Sequence, residues 1–183
     1  QTRPEQIRFD LTVIRARATL VEARTKIVNS VRGLSKSAGH KLPRCSTESF
    51  HKQPLDESLL PALAPMMTLL AELTKTIATY DEQIEALCRT RYPQTALLTP
   101  VHGVGSLSAL HFVLLIADPA RFKDARAVGA YLGLVPRRDQ SGGRDPELRI
   151  SKTGDRLGRT LLVQSAHRIL GEFGEDSDLR RFG

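Results

Sequence analysis

Tryptophan is absent, and all aromatic residues together make up 5% of the 183 positions. That scarcity argues against the aromatic-rich surfaces that grip sugars or peptides. Cysteine is nearly missing too: Cys45 and Cys88 lie in different segments, with no Cys or His beside either at metal-ligand spacing. Neither a disulfide framework nor a zinc site is indicated, and the chain reads as an intracellular, reduced protein. The longest apolar stretch, around Leu110 to Ala117, falls far short of the roughly 20 residues that cross a bilayer. The first residues, QTRPEQIRFD, lack the apolar region of a secretion signal. There is no Walker loop, no His-Glu-x-x-His and no Gly-x-Ser-x-Gly. The histidines (His40, His51, His102, His111 and His167) are scattered and read as surface or core residues. No spacing of acidic residues marks a two-metal nuclease site, so no metal ligands are assigned.

What is present fits an ordinary globular chain of one or two compact domains: 20.2 kDa, 40% apolar and 26% charged residues. A formal charge of +7 and a pI near 9.8 point toward polyanionic partners. The charge is uneven. Residues 1–52 carry eleven basic and four acidic side chains, residues 53–94 three and six, and residues 95–183 thirteen and ten.

Between residues 5 and 35, Ile7, Leu11, Ile14, Ala18, Val21 and Val28 recur at alternating steps of four and three, with Thr25 in the remaining slot. This heptad stripe predicts a helix with an apolar seam. Arg8, Arg15, Arg17, Arg24, Lys26 and Arg32 fall off the stripe, so they are expected on a basic outer surface, either simply solvated or facing a polyanion. Residues 37–54, with Gly39, Pro43 and Pro54, read as a loop. Leu59, Leu63, Met66, Leu70, Leu73, Ile77, Tyr80, Ile84 and Leu87 then hold the same alternation over four heptads, predicting a helix that ends by Tyr92, ahead of Pro93. Two seams joined by one loop suggest an antiparallel coiled-coil hairpin, packed on itself or on a second copy.

After Pro93 the periodicity breaks up and glycine becomes frequent, which places the domain boundary there: residues 1–94 as hairpin and 95–183 as a small helical domain. TALLTPVHGVGSLSALHFVLLI reads as helix, tight Gly-x-Gly turn and buried helix. ADPARFKDARAVGAYLGLVP gives a turn and a short helix, and RRDQSGGRDPELRISKTGD a glycine-rich charged excursion with a short strand at Leu148 to Ser151. A last helix carries Leu157, Leu161, Leu162, Ala166, Ile169 and Leu170 at helical spacing.

Two motifs bear on chemistry. Gly103 and Gly105 have the pattern of a helix-hairpin-helix turn, whose exposed amides and following helix N-terminus suit a phosphate oxygen; a plain packing turn is the competing reading. The excursion places Arg137, Arg138, Arg144, Arg149, Lys152, Arg156 and Arg159 around Ser141, Gly142 and Gly143. Guanidinium groups favour an alkoxide-like serine and stabilise charge growing on phosphorus, and the glycines permit close approach of a phosphate. A flexible solvated loop is the alternative.

The blocks HGVGSLSA, DPARFKDARAVGAYLGLVP, QSGGRDPELRISKTGDRLGRTLL and EDSDLRRFG, in this order, resemble the bridge-RNA-guided insertion-sequence transposases of the IS-one-ten type, which are serine recombinases. The likeness covers essentially the whole chain, most firmly residues 95–183, with RFDLTVIRARATLVEARTKIVNSVRGL similar to the helix that leaves that family's RuvC-like domain. The resemblance implies a DNA recombinase in which Ser141 becomes covalently joined to DNA. It further implies that Arg137, Arg138, Arg144, Arg149, Lys152 and Arg156 clamp phosphates with Gly103, Gly105, Gly142 and Gly143, and that magnesium is held by a RuvC-like acidic domain rather than by this chain. Relatives often carry two serines where this chain has Gln140 and Ser141, and proline where it has His102. No RuvC-like domain precedes Gln1 and no basic tail follows Gly183, so the expectation is a fragment that is inactive alone. Implied partners are DNA, a guide (bridge) RNA and further copies of the chain, as dimer or tetramer through the coiled coil, with no membrane, in the bacterial cytoplasm at the nucleoid. A non-catalytic nucleic-acid-binding and dimerisation module is the alternative function.

Overall fold

The computed structural model describes residues 3–139, 141, 143, 146, 148–172 and 174–182. The chain is mainly helical. Six α-helices follow in order: α1 (Glu5–Ser37), α2 (Leu60–Thr90), α3 (Ser106–Ile116), α4 (Ala125–Tyr131), α5 (Arg156–Leu170) and α6 (Asp178–Phe182), with short 3-10 turns between several of them. No described helix is long and apolar enough to cross a membrane. The packing divides into two compact units, residues 12–83 and residues 1–11 with 84–183.

In the unit of residues 12–83, α1 and α2 run antiparallel. Arg17 Nε donates to Asp81 Oδ1 at 2.8 Å at one end; at the other, Val28 and Val31 of α1 join a core with Leu63, Met67 and Leu70 of α2. Phe50, on the 3-10 turn Phe50–Lys52, is fully buried in that core. Burying a phenylalanine contributes about 1.5–3 kcal/mol, so the connection closes the hairpin rather than draping over it. Asp56 caps the entry to α2, its carboxylate accepting the Ser58 amide at 3.0 Å. That bond, with a second from the Ser58 hydroxyl, holds the Asp56 carboxyl below its usual range.

The heptad reading of α2 agrees with the structure at Leu59, Leu63, Leu70, Ile77, Ile84 and Leu87, which are buried, whereas Leu73 and Tyr80 are half-buried and Met67 is buried in place of the expected Met66. That of α1 needs a correction. Leu11, Ile14 and Val28 are buried as expected, but from residue 24 the buried positions are Arg24, Val28, Val31 and Ser35, while Thr25 is exposed. The seam has moved one place back, which a helix of 3.6 residues per turn permits when the partner surface is short. Arg24 is therefore inside, not on the outer surface.

In the other unit, α2 stops where Pro93 cannot continue it, the amides of Arg91 and Tyr92 both returning to the Leu87 carbonyl at 3.0 and 2.9 Å. The segment expected to be helical before the glycine turn is a 3-10 turn, Pro93–Leu97. The apolar α3 is the core helix, with Ala109, Leu110, Leu114, Leu115 and Ile116 buried, and it packs on α5 and on the Pro93–Leu97 turn. The N-terminal residues belong here as well. Asp10, almost wholly buried, accepts from Arg91 at 2.9 and 3.0 Å, from the Tyr92 hydroxyl at 2.7 Å and from Gln6 at 3.2 Å. Arg3 donates to the Leu115 carbonyl at 3.3 Å and to the Tyr131 hydroxyl.

Candidate functional site

The glycine-rich excursion leaves from a fixed base. Among the described residues, no strand forms at Leu148 to Ser151, where an isolated antiparallel bridge joins Pro136 with Ile150. Around it Arg137 donates its amide to the Arg149 carbonyl at 3.1 Å, Ser151 to Val135 at 2.8 Å and Lys152 to Gly133 at 3.1 Å. Below this ladder two backbones meet closely. Gly133 has φ +70 and a Cβ there would lie 2.2 Å from the Thr153 carbonyl oxygen; Gly154 has φ +75 and a Cβ would lie 2.4 Å from that of Tyr131. Only glycine satisfies both the left-handed backbone and the missing space. Arg159 fastens the same junction from α5, donating to the Leu132 carbonyl at 3.2 Å and to that of Thr153. It is a structural residue, unlike the other cations of the excursion.

Asp155 completes the base. It N-caps α5 by accepting the Gly158 amide at 2.8 Å, and the same oxygen lies 2.9 Å from Nε2 of His111, a buried residue of α3. One carboxylate thus joins the helix that follows the excursion to the core helix. The cap was readable as an aspartate directly before an apolar helical pattern; the histidine partner, 44 positions earlier, left no mark in the sequence.

Above the base Ser141 is exposed. Arg137, Arg138, Arg149, Lys152 and Arg156 are exposed as well, and their side chains have no hydrogen bond or ion pair among the described residues. Gly143, at φ +82, has open space where a side chain would stand. Lys152 holds φ +58, an uncommon backbone for a non-glycine residue. The expected contacts at Gln140, Gly142 and Arg144 lie outside the described residues. Five cations are thus carried at the neck of one anchored loop with no ion pair to a carboxylate among the described residues, an arrangement suited to phosphate oxygens.

The two glycines of the other motif part ways. Gly103, φ +81, packs on α5: a Cβ there would be 2.9 Å from Arg168 Cβ and 3.0 Å from the Ser165 carbonyl, and the Ser165 hydroxyl donates to its carbonyl at 3.0 Å. Gly105 precedes α3 with nothing within 4 Å of a would-be Cβ. Among the described residues no group of His, Cys, Asp and Glu is placed to hold a metal ion.

Comparison with known proteins finds similarity to transposases. The chain is similar to the transposase for insertion sequence element IS1111A of Coxiella burnetii, 30% identical over 175 residues, 91% of this chain and 48% of that protein. It is 33% identical to a probable family 20 transposase of Pseudomonas aeruginosa over 175 residues, 91% of this chain and 52% of that protein. With the transposase for insertion sequence element IS1328 of Yersinia enterocolitica the identity is 31% over 158 residues, 83% of this chain and 47% of that protein. The chain spans about half the length of these relatives. The stretch of residues 95–180 matches the family described as Transposase IS116/IS110/IS902 family. It includes the whole excursion, its base and α5.

Proposed function

We propose that this chain is the serine-bearing part of an RNA-guided DNA transposase, with Ser141 as nucleophile. The supporting observation is the exposed Ser141 on a loop whose neck carries Arg137, Arg138, Arg149, Lys152 and Arg156 without partners among the described residues. The Ser141 hydroxyl oxygen forms a bond to a DNA phosphorus while one bridging P–O bond breaks. The departing sugar oxygen leaves as a hydroxyl, taking up a proton equivalent to the one the serine loses. One phosphodiester is exchanged for another, so no external energy source enters the step. The arginines hold the phosphate and stabilise the charge that grows on its non-bridging oxygens; Arg144 and the amides around Gly142 and Gly143 join them in this reading, with Gly105 and the turn at Gly103 holding a neighbouring phosphate.

Magnesium belongs in this reading to a RuvC-like acidic domain, where it assists phosphoryl chemistry. Residues 1–94 act as spacer and oligomerisation hairpin and residues 95–183 as the serine domain, a dimer or tetramer bringing the serine of one copy to the acidic site of another. Guide RNA supplies target choice, and the setting is the bacterial cytoplasm at the nucleoid. The test is covalent trapping: the chain, a RuvC-like partner supplied in trans, guide RNA and labelled target DNA on a denaturing gel, alongside Ser141→Ala in the full-length transposase. A protein-linked DNA band lost only with Ser141→Ala supports the reading. Recombination that survives Ser141→Ala in the full-length protein overturns it.

A second reading, a nucleic-acid-binding and dimerisation module without chemistry, draws on the same unpartnered cations, which need no nucleophile to hold phosphates. It expects steeply salt-dependent duplex binding and no covalent band in any arrangement.

A further inference from the structure

The cations of the hairpin, residues 12–83, sort into two groups. Arg17 is engaged by Asp81 at 2.8 Å and Lys26 by Glu22 at 3.0 Å. Arg24 is buried beside Glu48 at 3.7 Å. Arg32 donates to the Cys45 carbonyl at 3.1 Å, with its guanidinium 5.1 Å over the Phe50 ring. Arg15 is engaged as well. The remaining group, Lys36, Lys41, Arg44, Lys52 and Lys75, is exposed, with no side-chain hydrogen bond or ion pair among the described residues. Lys36, Lys41 and Arg44 sit at the hairpin tip, on the last turn of α1 and the start of the connection to α2, while Lys52 and Lys75 lie further along, beside Ala71, Thr74 and Ala78. The α1 face expected to carry the basic surface is thus largely committed to internal contacts, and three of the free cations, Lys36, Lys41 and Arg44, lie at the end of the hairpin.

The tip has little anionic charge to balance it. Residues 23–47 hold six Lys and Arg and no Asp or Glu. A recess of about 400 Å³ is formed there by Arg32, Lys36, Gly39, His40, Lys41 and Leu42. The nearest carboxylate, Asp56, is occupied by Ser58 at 2.6 and 3.0 Å and lies 3.7 Å from His40; Glu57 beside it is exposed. Concentrated like charge of this kind is costly in the free protein and is relieved by a polyanion.

We propose that the hairpin tip docks on the phosphate backbone of duplex DNA, as a second DNA contact besides the Ser141 loop. A duplex suits it better than a single strand because Phe50, the one Phe, Tyr or Trp between residues 33 and 60, is fully buried in the hairpin core, leaving no platform for base stacking. Lysines on a flexible stem contact phosphates without reading bases. That the duplex is DNA rests on the transposase reading. The tip contact itself does not depend on Ser141 chemistry, so the two fail separately: Ser141→Ala leaves tip binding unchanged.

The test is fluorescence anisotropy of the whole chain with a fluorescein-labelled 30-base-pair DNA duplex, titrated across NaCl concentrations. Lys36→Gln/Lys41→Gln/Arg44→Gln should weaken binding about tenfold at low salt and lower the slope of log affinity against log salt by about 2–3, since each phosphate contact contributes about 0.9. Lys41→Glu alone should weaken it several-fold with an unchanged melting temperature, which guards against a folding effect in the triple variant. Unchanged affinity and slope in both variants overturn the proposal. So does a larger loss for a structured RNA hairpin than for the duplex, which would make the tip an RNA surface.

Discussion

Asp155 holds buried His111 at 2.9 Å and the Gly158 amide at 2.8 Å through the same carboxylate oxygen. The contact lies directly under the excursion that carries Ser141, so it bears on stability and on loop placement together. Asp155→Ala removes a helix cap and the partner of a buried imidazole. The expected loss is about 2–4 kcal/mol, from a cap of about 1 and a buried polar group left unmatched at about 1–3. Urea denaturation of the chain measures it. Loss under 0.5 kcal/mol would mean that the carboxylate is replaced by solvent at little cost.

Gly133 and Gly154 test whether the base of the excursion is rigid. Alanine at Gly133 meets the Thr153 carbonyl in a backbone conformation it disfavours, and should cost about 1–3 kcal/mol. The amides of Ser151 and Lys152, which donate across the base, should exchange with solvent faster in the variant. Gly105→Ala is the internal control, since its Cβ would enter open space at φ −93, and should change stability by less than about 1 kcal/mol. If Gly105→Ala nevertheless weakens duplex binding while Gly103→Ala merely destabilises the fold, the open glycine is the one that approaches phosphate.

How far the sequence reached is clearest in the two long helices. Along α2 the buried positions are Leu, Ile and Met that follow the four-three pattern apart from Met67, which replaces Met66, so pattern and packing largely coincide. Along α1 the buried Arg24 and Ser35 are polar, and a hydrophobic pattern cannot see them; it therefore followed Thr25 when the seam had moved to Arg24. The excursion was recognisable by composition, because glycine and arginine cluster there in the chain. Its base was not, because Gly133 meets Thr153 and Asp155 meets His111 only through folding. The network of Asp10 with Arg91 and Tyr92 spans more than 80 positions and is invisible for the same reason.

Arg24 leads to a prediction of opposite sign from the basic-face reading. Its side chain is 6% exposed, Nε has no hydrogen-bond partner, and Glu48, 75% exposed, is 3.7 Å away. Such a charge is poorly repaid for its lost hydration, and isosteric apolar replacements of buried ion pairs are neutral or stabilising by about 1–4 kcal/mol. With so distant and exposed a partner, Arg24→Met should leave the melting temperature unchanged or raise it. Duplex affinity should not move. A several-fold loss of DNA binding in a folded Arg24→Met variant would return this arginine to the nucleic-acid surface.

The Tyr92 hydroxyl donates to Asp10 at 2.7 Å. Burial first, and then the hydrogen bond and negative charge of Asp10, push its pKa from 10.0 up to about 12. The folded state thus keeps its proton where the unfolded chain has lost it. This contribution is fully present below pH 10 and is lost as pH rises toward about 12, since the unfolded state then binds fewer protons than the native one. A shift of that size corresponds to at most about 3 kcal/mol. With three tyrosines and no tryptophan, ultraviolet absorbance resolves the titration, in which Tyr92 should appear as a late step toward pH of about 12. Tyr92→Phe should remove the late step, and the alkaline fall in stability should become shallower. Should no late step appear in the folded chain, Asp10 would not be holding the Tyr92 proton, and the bond of Asp10 to Arg91 would carry the anchoring of α1 to the end of α2.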